Sequence, residues 1–141
     1  MIAIEATLAT FSNNINLYKT TNSAVFNKIN PLQINCSLCA IIKYKNSDLN
    51  TAFNNNCIIL DDIQDPGNLG NILRTTAALN STIHIVLSTN SVDAYHPKVL
   101  RASMGTQFLV NIHQNIDIVA FINQYQSQGK VSGCQVKLLM F

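Results

Sequence analysis

A chain of 141 residues has the length of one domain, or of one domain and a scrap of another, and can bury a respectable core. Nine Lys and Arg against seven Asp and Glu leave a formal net charge of +2, and only 11% of residues are charged. That balance excludes a basic tail, an acidic activation segment and attachment to nucleic acid by bulk charge alone, while 48% hydrophobic residues exclude disorder throughout.

Polarity comes instead from amides and hydroxyls, as in Asn54-Asn55-Asn56. There is no run of about 18 apolar residues to span a membrane, and the N-terminus lacks the basic and apolar regions of a secretory signal. The expectation is a soluble cytoplasmic protein without a membrane partner. The four cysteines are Cys36, Cys39, Cys57 and Cys134. Cys36 and Cys39 form a C-x-x-C, but a zinc site wants a second pair or two histidines at ligand spacing. A redox pair wants a helix N-terminus, whereas Ile34, Leu38, Ala40, Ile41 and Ile42 make this segment read as a strand. Buried, inert thiols are the expected reading.

Along the chain, residues 1–30 carry no decisive pattern. A strand is predicted over 33–44, and 45–56 reads as a linker or long loop, rich in Asn, Ser, Asp and Thr. Residues 57–60 are a short apolar run, a buried strand. Asp65-Pro66-Gly67-Asn68 is turn chemistry. From Leu69 a helical period places Leu69, Ile72, Leu73, Thr76 and Ala77 on one face. Strands are predicted over 83–87, 108–112 and 130–139. A helix fits 97–104, with Pro97 in its first turn and Gly105 to end it. Ile116, Val119, Ala120, Ile122 and Tyr125 outline another helix, stopped at Gly129. Strands alternating with helices from residue 57 onward mean an α/β domain with a largely parallel sheet and flanking helices.

In such sheets ligands bind at the carboxyl ends of strands, in turns leading to helices. The best-formed turn spans residues 61–75. Asn68 is expected to cap the helix, and the N–H groups beyond it can receive an anion such as RNA phosphate. Arg74 sits well off the apolar stripe and can face a cleft, although spacing alone favours an ordinary solvated arginine. No Gly-Lys-Ser/Thr follows the glycines, so this is not a P-loop, and Gly67 and Gly70 have the wrong separation for a dinucleotide fingerprint. Asp61, Asp62 and Asp65 fit backbone capping better than Mg²⁺, and no metal is expected. His84, His96 and His113 stand at no ligand spacing, and nothing selects one as a general base.

The run Leu60-Asp61-Asp62-Ile63-Gln64-Asp65-Pro66-Gly67-Asn68-Leu69-Gly70-Asn71-Ile72-Leu73-Arg74-Thr75-Thr76-Ala77 closely resembles the first motif of the SpoU (TrmH-like) RNA ribose methyltransferases of the SPOUT superfamily. At the expected distance, Ser91-Val92-Asp93-Ala94-Tyr95-His96-Pro97-Lys98-Val99-Leu100-Arg101-Ala102-Ser103-Met104-Gly105 looks like that family's next loop and helix. The resemblance covers about residues 57–141. It implies methyl transfer from S-adenosylmethionine to a ribose 2′-hydroxyl of rRNA or tRNA, in a homodimer. It assigns Asn68 and Arg74 to the substrate ribose and phosphate. Arginine is a poor literal base, so Arg74 is expected to bind phosphate and stabilise charge as the 2′-oxygen loses its proton. Lys98 and Arg101 are candidates for RNA-backbone contact or a subunit interface, against the plainer reading of a solvated helix face.

Typical members continue with a Gly-x-Glu-x-x-Gly strand and a Ser-Leu-Asn-Val-Ser-like run, which tie a trefoil knot and hold most of the cofactor contacts. Neither is found before Phe141. Residues 25–44 resemble the tail of the small RNA-binding domain that often precedes the catalytic one. The expected organisation is therefore 1–50 as a remnant of that domain and its linker, then 57–141 as the N-terminal part of a SpoU-type domain, truncated at both ends. The cofactor-binding residues are expected beyond Phe141. A non-catalytic RNA-binding or dimerisation fragment of the same family is the second reading. The chain alone is expected to bind S-adenosylmethionine weakly or not at all; micromolar binding in titration calorimetry contradicts that.

Overall fold

The structure, a computed structural model, describes residues 23–29 and 47–127. The chain divides into two compact units, Met1–Cys39 and Ala40–Phe141. The first contributes helix α1 (Ser23–Ile29), whose Lys28 in the last turn complements the negative end of the helix dipole. The strands expected over 33–44 and 130–139, together with Cys36, Cys39 and Cys134, lie outside the described residues.

The second unit is built on a three-stranded parallel sheet in the order β1-β2-β3, with β1 at Cys57–Leu60, β2 at His84–Ser88 and β3 at Asn111–Ile116. Helices α3 (Pro66–Leu79) and α4 (Pro97–Ser103) lie between successive strands in the chain, as parallel pairing requires. The α/β class read from alternating elements is the observed one. All five residues of central strand β2 are buried. Leu60, Ile85, Leu87 and Ile112 pack with Leu69 and Leu73 of α3 and Val99 of α4. Cys57, Ile59, Val86 and Ile116 belong to a second cluster with Phe121 of α5 (Ile118–Ser127) and with Ala52 and Phe53. Helices thus cover both sheet faces, which is why β1 and β2 read as continuous apolar runs.

Three expectations change in detail. The polar stretch 45–56 is not merely a loop: Asp48 accepts from the Asn50 N–H at 3.0 Å and starts helix α2 (Leu49–Ala52). Ala52 and Phe53 are buried, and the Phe53 ring stacks on Phe121 at 5.0 Å. The amides around them mask that apolar anchor in composition. The third strand runs Asn111–Ile116 rather than 108–112, because residues 106–108 form a 3₁₀ turn after Met104 and Gly105 take left-handed φ of 57° and 81°. Finally, α3 starts at Pro66, three residues before the apolar period becomes visible.

Strand β3 carries one extra residue. Val86 pairs with His113 but Ser88 pairs with Ile116, and Asn115 has φ 61°. Such a bulge changes which face the following residues point to, and here it delivers Ile116 to the α5 cluster.

The α3–α4 contact is set by Gly70. A Cβ there would overlap the Ala102 Cβ and lie 2.9 Å from the Ser103 backbone nitrogen, which cannot swing aside. Gly70→Ala should gain about 1 kcal/mol of helix propensity yet lose roughly 1–3 kcal/mol to overpacking. Because the clash is with backbone, the loss should win, and thermal unfolding should shift down by several degrees. An unchanged or raised midpoint contradicts this packing.

The same unit buries two histidines against each other. His84 Nδ1 and His113 Nε2 are 2.9 Å apart, with the rings stacked at 5.2 Å. The Asn111 amide nitrogen lies 3.4 Å from His84 Nε2, so Nε2 accepts, Nδ1 donates to His113, and His113 carries its proton on Nδ1. That Nδ1 lacks a hydrogen-bond partner, although the Ser47 backbone is near enough to favour a proton there. Burial lowers both pKa values from the ordinary 6.5; for His113 the neighbouring His84 adds to this, while Ser47 and Asp48 partly offset it. The unfolded chain therefore takes up protons below pH 6.5 that the folded one refuses. Stability should be full above that pH and fall as the pH drops through it toward the depressed folded values. Chemical denaturation between about pH 7.5 and 5.5 measures the slope, and His84→Asn should flatten it; a pH-independent midpoint contradicts the pair.

Candidate functional site

At the carboxyl end of β1 the chain turns through Asp62, whose φ is 52°. The turn is held from the neighbouring strand: the Asp62 N–H donates to Ser88 Oγ at 2.8 Å and the Ile63 N–H to Ser91 Oγ at 3.3 Å. The two serine hydroxyls are 3.0 Å apart, and the Val92 N–H donates to the Ile63 carbonyl at 2.8 Å. The loops after β1 and β2 are thereby stitched into one surface.

The cap of α3 is Asp65, not Asn68. Asp65 Oδ1 accepts from the Asn68 N–H at 2.7 Å, and Asp65 itself is extended, with φ −78° and ψ 119°. Pro66 explains the shift: it favours an extended residue before it, has no N–H to satisfy and suits the first helical position. Asn68 is thus inside the first turn, with its side chain exposed. Arg74 is also exposed, on the same helix. Six residues of α-helix separate the two by about 9 Å along the axis and roughly 120° around it. They flank opposite sides of the buried arc formed by Leu69, Gly70, Leu73 and Thr76.

Lys98 and Arg101 are exposed on α4, three residues apart and therefore on one side of it. His96 caps that helix, its Nδ1 accepting from the Lys98 N–H at 3.2 Å. Among the described residues, no group of three or more His, Cys, Asp and Glu is placed to hold a metal ion. No described helix is long and apolar enough to cross a membrane.

A cleft of about 260 Å³ opens at the carboxyl ends of β2 and β3, where parallel sheets bind ligands. Leu87, Ser88, Ser91, Val92, Asp93, Gln114 and Asn115 line it. Neither this cleft nor the His84–His113 pair was readable from spacing. Both depend on the register of β2 against β3, which brings together residues 29 positions apart in the case of the histidines.

Residues 55–137 match the SpoU rRNA Methylase family. Over 60 residues the chain is 47% identical to rRNA methyltransferase 3, mitochondrial, of Mus musculus, covering 43% of this chain and 14% of that protein. Over 72 residues it is 40% identical to an uncharacterized tRNA/rRNA methyltransferase of Synechocystis, covering 51% of this chain and 26% of that one. The chain thus spans a minor part of the length of these relatives. The fold is also that of the SpoU methyltransferase AviRb from Streptomyces viridochromogenes, solved with the cofactor AdoMet, at a TM-score of 0.52 and 20% identity over 64% of this chain and 36% of that one. With the family pattern running unbroken from the strand before the capped turn to beyond the last described helix, this protein belongs to the SpoU rRNA methylase family.

Proposed function

We propose that the chain serves S-adenosylmethionine-dependent methylation of a ribose 2′-hydroxyl in rRNA or tRNA. The observation that carries this is the family match over 55–137, which includes the whole β1–α3 turn with Asn68 and Arg74. Arg74 binds the phosphate beside the target ribose and stabilises negative charge as the 2′-oxygen is deprotonated. Asn68 orients the ribose. Lys98 and Arg101, side by side on exposed α4, extend the phosphate track. The N-terminal segment, residues 1–50 up to where Leu49 joins the core, contributes to RNA substrate binding, and 57–141 supplies the methyltransferase elements.

S-adenosylmethionine would supply the methyl group. The cleft at β2 and β3 does not fit it: about 260 Å³ is below the roughly 300–1,000 Å³ of sites for ligands of that size. A homodimer and a cytoplasmic location belong to the same reading; exposed Met104, Phe108 and Leu109, at the end of α4 and in the 3₁₀ turn that follows it, support the pairing.

With labelled methyl donor in large excess, to offset weak cofactor binding, and RNA, Arg74→Ala should lower transfer by about 10²–10³-fold, the usual cost of removing a charge-stabilising donor, while RNA affinity changes far less. Lys98→Ala and Arg101→Ala should each weaken RNA binding and reduce its salt slope by about 1. Undiminished transfer in Arg74→Ala contradicts the role of Arg74. RNA binding without transfer by the unaltered chain favours a non-catalytic RNA-binding member of the family instead.

A further inference from the structure

We infer that the cleft between the ends of β2 and β3 is a nucleobase pocket that takes an unpaired guanine of the RNA. The inference rests on the RNA-modifying reading above but concerns a different site from the α3 turn.

The bulge that turns Ile116 toward the α5 cluster also shapes the cleft. The extra residue of β3 and the left-handed Asn115 set the ends of Gln114 and Asn115 at the opening. Bulges and strained residues of this kind concentrate beside functional sites because they re-aim side chains. The polar walls are then fixed in place. Gln114 Oε1 accepts from the Ala94 N–H at 2.6 Å, so its amide nitrogen is the group left to donate. Asp93 Oδ1 accepts from the Tyr95 N–H at 2.9 Å, which holds the carboxylate while leaving its remaining lone pairs for a ligand. Half-buried Val92 supplies an apolar edge for a flat ring.

The charge of the lining selects the ligand class. No Lys or Arg lines the cleft and one carboxylate does, so a phosphate is disfavoured there. Its volume is that of a fragment and not of a whole cofactor. A carboxylate beside an amide donor matches the Watson–Crick edge of guanine. Its N1–H and N2–H donate to Asp93, and its O6 accepts from Gln114. Adenine would set the acceptor N1 against the carboxylate. Single-stranded bases splayed out in this way are the usual targets of sequence-specific RNA recognition.

The test uses the full chain, labelled for side-chain amide signals, with free nucleosides as probes. Guanosine should shift the Gln114 and Asn115 amides saturably, inosine, which lacks the 2-amino group, should bind about tenfold more weakly, and adenosine more weakly still. Asp93→Asn, which keeps the capping oxygen, should abolish the preference for guanosine over inosine. Gln114→Glu, which keeps the acceptor for Ala94, should weaken guanosine in an independent way. Unmoved amides, equal binding of the three nucleosides, or an Asp93→Asn chain with unchanged preference overturns the pocket. Neither methyl donor nor RNA backbone is present, so loss of methyl transfer and loss of base selection are read separately.

Discussion

The close approach of α3 and α4 at Gly70 is the constraint on which the rest of this unit depends. Only a residue without a Cβ lets the Ser103 backbone come so near. That contact holds the last turn of α4 against α3, and the loop between Ser88 and Pro97 leads into the same helix. The loop then lies close enough to the β1–α3 turn for Ser88 and Ser91 to accept the Asp62 and Ile63 N–H groups. A side chain at position 70 would therefore disturb the surface at the strand ends, and not only the seam between two helices.

A chain with so few charges organises its interior through neutral polar groups. The two serines join adjacent loops, the two histidines join adjacent strands, and Ser103 hydrogen-bonds the buried Gln107. Each such group is costly to bury unless satisfied, so each fixes a geometry that apolar packing alone leaves loose. Among the described residues, His113 Nδ1 and Gln107 Nε2 are buried without a hydrogen-bond partner, and burial favours the neutral form of the His113 ring. The cations Arg74, Lys98 and Arg101, by contrast, stand in the open on α3 and α4.

Much of the fold could be read from residue order because local chemistry dictated it. The apolar run at 57–60 is bounded by Asn56 and Asp61 and is β1; the period from Leu69 to Ala77 is the buried face of α3. Reading failed where tertiary structure overrides local pattern. Asn68 looks like a cap until Pro66 is given its due as a first helical residue, which hands the role to Asp65. His113, Gln114 and Asn115 do not read as strand, yet β3 runs through them because β2 offers a ladder of partners. Polar residues 45–56 conceal Phe53, whose value lies in a ring on α5 far along the chain. The β1–α3 turn was legible through its motif; the roughly 120° between Asn68 and Arg74 around α3 follows from where the helix starts. The cleft was invisible, being made by strand register and a bulge.

The proposed chemistry is specific: a methyl group directed onto ribose oxygen, not onto a base. The most direct measurement is mass spectrometry of nucleosides released from rRNA and tRNA after incubation with the protein and a large excess of S-adenosylmethionine, which offsets weak cofactor binding. The account predicts a nucleoside whose added methyl stays with the sugar fragment when the glycosidic bond is broken. A methyl group that leaves with the base would contradict it.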